Sequence, residues 1–88
     1  MLESTLKKKC LQYLKKQYPN AFIVKLSDQW ISGLPDIWMV KCGYTYCFEL
    51  KTDKGVVSPI QKATLEKLAK AGAFVRVIRS LEELKEFV

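Results

Sequence analysis

Between a strand-like run that ends at Lys51 and another that begins at Ala73 stands a segment with a helix start written into its first residues. Ser58 reads as an N-cap, Pro59 suits the first helical position, and Gln61 completes a capping box. Ile60, Ala63, Thr64, Leu65 and Leu68 supply an inner face, and Gly72 ends the helix. A strand, a helix and a strand over this length make a βαβ crossover, so a right-handed parallel pairing is expected between the flanking strands. The crossover sets the fold class: a mixed α/β sheet with helices packed on it.

The remaining elements fall into place around that unit. Leu6, Cys10, Tyr13 and Leu14 form an apolar stripe that predicts a helix from Leu2 to about Tyr18, with Lys7, Lys8, Lys9, Lys15 and Lys16 on its other sides. Pro19-Asn20 stops it. Residues 21–26 read as a first strand, and Ser27 to Pro35 as a loop. Strands from Asp36 to Lys41 and from Tyr44 to Lys51 are joined at Cys42-Gly43 as a hairpin. A strand over 73–78 and a short helix over 81–87, capped by Ser80 with Glu83, complete the order αβββαβα. Eighty-eight residues give room for one domain, 1–88, with no linker or repeat.

Composition narrows the chemistry. Fifteen Lys and Arg against nine Asp and Glu leave a net charge of +6, which favours an anionic partner such as nucleic acid over simple solubility without deciding between them. The absence of histidine is more decisive. It excludes Ser/His/Asp and Cys/His nucleophilic machinery, histidine metal sites and histidine acid–base pairs. Chemistry must come from carboxylates, lysines and a metal held by oxygen. Cys10, Cys42 and Cys47 lack a CxxC spacing and read as free thiols of a reducing compartment. No apolar run is long enough for a membrane span and the start lacks a signal-peptide core, so a cytoplasmic protein that avoids the membrane is expected.

The informative stretch is Gly33-Leu34-Pro35-Asp36 followed, thirteen positions after Asp36, by Glu49-Leu50-Lys51. Glu49 and Lys51 leave the same strand face. With a two-residue turn at Cys42-Gly43, Asp36 lies opposite Glu49; a turn shifted by one residue puts it opposite Lys51 instead. Either register gathers two carboxylates and an ammonium on one patch. Facing acids repel, and a divalent cation, a shared proton or a positive neighbour is the usual remedy. Hard oxygen ligands suit Mg²⁺ or Mn²⁺. Taken alone, this short pattern recurs by chance in surface hairpins. Glu3 stands on the apolar stripe of the first helix, as an extra ligand or as an acid favoured by the helix N-terminus. Gln61 either completes the cap or reaches back to the site.

Gly-Leu-Pro-Asp, Glu-Leu-Lys at a strand end and Ser58-Pro59-Ile60-Gln61 opening a helix together resemble the VRR-NUC family of the PD-(D/E)XK nuclease superfamily, over nearly the whole chain. The resemblance implies a restriction-endonuclease-like core in which Asp36, Glu49 and the Leu50 backbone carbonyl ligate the metal. Glu3 would join them directly or through water. Lys51 would orient the attacking water and stabilise phosphate charge, and Gln61 would support the site or touch DNA. It implies a metal-dependent endonuclease of branched DNA with no organic cofactor, and small viral members of this kind are homodimeric Holliday-junction resolvases of DNA repair. The alternatives are a monomeric flap-type nuclease and a DNA-binding module that keeps the fold without cutting.

Lys7, Lys8, Lys9, Lys54 and Lys62, with Lys25 and Lys41, flank these motifs and could line a phosphate track. Solvated residues are expected at Lys67, Lys70 and Lys85. Arg76 and Arg79 could instead pair with Glu82 or Glu83. Trp30, in the loop before Gly33, could stack on an unpaired base or meet a second subunit.

Overall fold

The computed structural model describes residues 2–26 and 31–88, so the stacking role expected of Trp30 lies outside the described residues. Seven elements follow in the expected order: α1 (Glu3–Gln17), β1 (Phe22–Lys25), β2 (Ile37–Lys41), β3 (Tyr44–Leu50), α2 (Pro59–Lys70), β4 (Phe74–Ile78) and α3 (Leu81–Phe87). The strands form one sheet in the order β1-β2-β3-β4. The first three pair antiparallel, and β3 pairs with β4 in parallel across the α2 crossover.

The β2–β3 turn decides what faces what. Cys42 at φ 52° and Gly43 at φ 82° both occupy the left-handed region, as a two-residue hairpin turn requires. Lys41 therefore pairs with Tyr44 and Ile37 with Phe48, which carries Asp36 opposite Glu49. A one-residue slip would have turned every side chain of the strand to the other face.

On one sheet face Ile37, Met39, Phe48, Leu50 and Ile78 are sealed under Leu6, Cys10 and Leu14 of α1 and Leu84 of α3. Full burial of such side chains stabilises the fold by roughly 1.5–3 kcal/mol each before chain entropy is counted. Burial pushes the Cys10 thiol up to about 11, with Glu82 adding to the rise, so this thiol packs rather than reacts. Cys42, in the turn, is exposed.

α2 lies on the opposite face, and its inner side is rotated from the expected one. Leu65 is buried and Thr64 and Leu68 are half-buried, whereas Ile60 and Ala63 face out. The rotation follows from the helix's first turn, where Gln61 points inward. The cap itself is as expected: Ser58 Oγ accepts from Gln61 N at 3.2 Å, and Ser58 N donates to Gln61 Oε1 at 3.0 Å. On α3, Ser80 Oγ accepts from Glu83 N, but Glu83 Oε2 takes the Arg79 amide one residue earlier. The Arg79 guanidinium forms no ion pair with Glu82 or Glu83; its Nη1 donates to the carbonyls of Thr52 and Gly55 at 2.8 and 2.7 Å. Arg76 lies over the Phe87 ring and pairs with no acid among the described residues.

Candidate active site

Gly33 starts the path to the site. It sits at φ 80°, and a Cβ there would lie 2.7 Å from the Ile60 carbonyl oxygen and 2.9 Å from Thr64 Oγ1. Only glycine lets the loop pass this close under α2 before Leu34-Pro35 delivers Asp36 to the head of β2. Asp36 is fixed there by a hydrogen bond from the Leu50 backbone amide to Oδ2 at 2.8 Å.

Glu49 leaves β3 beside it and is only 1% exposed. Its Oε2 accepts from Gln61 Nε2 at 2.9 Å and lies 3.6 Å from Lys51 Nζ. Gln61 thus serves both of the roles its position suggested: the carbonyl end of its amide caps α2 and the amino end holds Glu49. Glu49 Oε1 is buried and has no hydrogen-bond partner among the described residues. Leaving a carboxylate oxygen in that state is costly unless a proton or cation meets it. Burial pushes the Glu49 carboxyl up to about 7; Asp36 and, more weakly, Glu3 add to the rise, and Lys51 opposes it.

α1 supplies the third acid. Oxygens of Glu3, Asp36 and Glu49 all lie within 4.8 Å of one another. That spacing, the hard donor set and the orphaned Oε1 fit a divalent cation such as Mg²⁺ or Mn²⁺. The Leu50 carbonyl belongs to the same strand end, its amide already engaged by Asp36.

One contact of the site was not anticipated from the sequence. Lys7, expected on a phosphate track, sits with Nζ 3.1 Å from Asp36 Oδ1. The available signal was its spacing: four residues after Glu3, it shares Glu3's helix face. Arg79 was missed as well. The loop it holds packs Gly55 onto the Lys51 stem, where an added Cβ would come within 3.2 Å of Lys51 Cδ.

The other expected contact residues lie on several elements. Lys8 is exposed on α1 and Lys62 on α2. Lys54 lines a hollow with Asp53 and Arg79, and Lys9 a neighbouring one with Asp53 and Glu82. Lys41 lies over the rings of Tyr18 and Tyr46, away from the acids.

A mixed α/β sheet with acids and a lysine gathered at the ends of two central strands defines a class of nuclease-type cores of the PD-(D/E)XK kind. Two solved structures make the class particular. One, described as "VRR_NUC domain", is 25% identical over 92% of this chain and 91% of its own, with a TM-score of 0.74. Another, a "VRR_NUC domain protein", is 20% identical over 99% of this chain and 84% of its own, with a TM-score of 0.80. The chain has the VRR-NUC domain fold. No protein-family model matches the sequence, and no curated protein does.

Proposed function

We propose that this protein is a Mg²⁺- or Mn²⁺-dependent endonuclease that hydrolyses phosphodiester bonds in branched DNA, acting as a homodimer in the manner of a Holliday-junction resolvase. The observation that carries the reading is Glu49, buried beside two other carboxylates with one oxygen unpartnered among the described residues. Such a cluster is expensive as packing and useful as a cation cradle.

Asp36, Glu49 and Glu3, with the Leu50 carbonyl, are the groups that would hold the ion. A bound divalent ion supplies charge stabilisation at the phosphoryl group and a more acidic water. The chain's own residues do the rest. Gln61 and the Leu50 amide fix the two strand carboxylates in place. Lys51, on the same face as Glu49, orients the attacking water and stabilises charge developing on the phosphate. Free buried thiols and the +6 charge suit a reducing compartment that holds nucleic acid.

The test is cleavage of a labelled immobile four-way junction beside its linear duplex and a 5′-flap, with Mg²⁺ or Mn²⁺. Paired symmetric nicks in the junction, lost in Lys51→Ala, are expected. Cutting of the flap alone would replace junction resolution with flap-type activity. Binding without cutting of any substrate would overturn the enzymatic reading and leave a DNA-binding module.

A further inference from the structure

Charge is unevenly distributed over the fold. Residues 2–26 carry Lys7, Lys8, Lys9, Lys15, Lys16 and Lys25 against one acid, Glu3. α3, by contrast, carries Glu82, Glu83 and Glu86 in seven residues.

Four of those lysines share one open groove between α1 and β1. Lys7, Lys8 and Lys15 line one wall with Ser4 and Gln12, and Lys25 stands on the other. Positions 4, 7, 8, 12 and 15 recur at helical spacing, so this wall is a single face of α1. Among the described residues no carboxylate lines the groove. The hollows around Lys9 and Lys54 differ in this respect, because each contains Asp53.

The groove also ends at the acids. Lys7 belongs to both, lining the groove while its Nζ meets Asp36, and Ser4 adjoins Glu3 in the first turn of α1. Lys8 and Lys15 are about 10 Å apart along the helix axis, the rise of roughly three nucleotides of one DNA strand. Ammonium groups that face one another without acids repel, and a polyanion laid between them removes that cost.

We propose that the α1–β1 groove is the track by which a DNA strand's phosphate backbone reaches the acidic centre, with Lys8, Lys15 and Lys25 as phosphate contacts. The proposal rests on the nuclease reading and deepens it by assigning the side from which substrate enters. Contacts of this kind read no bases; they fix register and give affinity that falls steeply with salt.

The test is DNA affinity by fluorescence anisotropy over a salt series, in EDTA so that nothing is cut. It compares wild type with Lys15→Gln/Lys25→Gln and with Lys67→Gln/Lys70→Gln. The second pair lies in the last turn of α2 and matches the first for charge removed. Loss of two phosphate contacts should lower the log–log salt slope by about two and weaken binding roughly tenfold at moderate salt. The α2 pair should bind as wild type does, and Mn²⁺ affinity by calorimetry should be equal in all three. A groove variant with the wild-type slope, or an equal loss in the α2 pair, would overturn the track and leave the nuclease reading standing. A wild-type protein without salt-dependent affinity for any DNA would overturn both. Anionic vesicles bound by wild type and lost in the groove variant, with DNA binding unchanged, would reassign the surface to a membrane.

Discussion

A carboxyl group sealed from water beside other carboxylates holds its proton to higher pH than it would in the unfolded chain. For Glu49 the rise is from an ordinary 4.5 to about 7. Between those values the folded state binds the extra proton, so stability falls as pH rises through the window, by roughly 2–4 kcal/mol in all. The metal-free protein should therefore melt at a lower temperature at pH 8 than at pH 5.5. A divalent ion competes with that proton and binds only the folded state, so its stabilising shift should be larger at pH 8. Glu49→Gln should remove both effects and be more stable than wild type at pH 8 without metal. Calorimetric melting curves that ignore pH and metal alike would refute this account. The facing of Asp36 and Glu49 was legible in the sequence because one variable, the length of the Cys42-Gly43 turn, decides it. The pairing of Lys7 with Asp36 was legible only in part: its spacing from Glu3 puts both on one helix face, but the partner depends on how α1 docks.

At the level of elements, periodicity and capping gave order and type, and strand ends moved inward by a residue or so. Two of the misjudged features involve competition for a partner. α2 turned its inner face because Gln61 had a partner in Glu49 that a hydrophobic count cannot see. Arg79 left the acids of α3 for two loop carbonyls that its Nη1 meets together, one of which, that of Thr52, also accepts from the Gly55 amide. That clamp joins β4 to the 51–57 loop and, through Gly55, to the stem of Lys51. Replacing Arg79 with Met keeps the stem and removes the donors. The expected cost is about 1–3 kcal/mol, with faster hydrogen exchange at the amides of 52–57 and Mn²⁺ affinity unchanged. Unaltered exchange in that loop would show that the clamp holds nothing.

The whole molecule is polar in a literal sense, basic along α1 and β1 and acidic along α3. Net charge was visible at once, but its segregation was not, since it depends on which elements become neighbours. The sheet face opposite the main core is only partly covered. Phe22 is 56% exposed and lies edge-on to Trp38, with Val24 and Val40 beside them half-buried. An apolar patch of this kind is the surface a two-fold partner would cover. Light scattering at micromolar concentration should give twice the chain mass, with Phe22→Glu shifting it to one. A monomer in the wild type would remove the homodimer from the proposed function and leave the chemistry of the centre untouched.

Selection for foldability and selection for use ask different things of position 61. A helix start accepts glutamate in a capping box as readily as glutamine, and its dipole prefers the charged residue. Stability of the helix alone would therefore have been content with a glutamate here, or would have favoured it. The amide of Gln61 is required only because its far end must donate to a buried carboxylate, where a second anion would be repelled. A one-atom choice between oxygen and nitrogen thus separates what the helix needs from what the centre needs. A designer optimising melting temperature at this position would be led to discard the residue that the chemistry keeps.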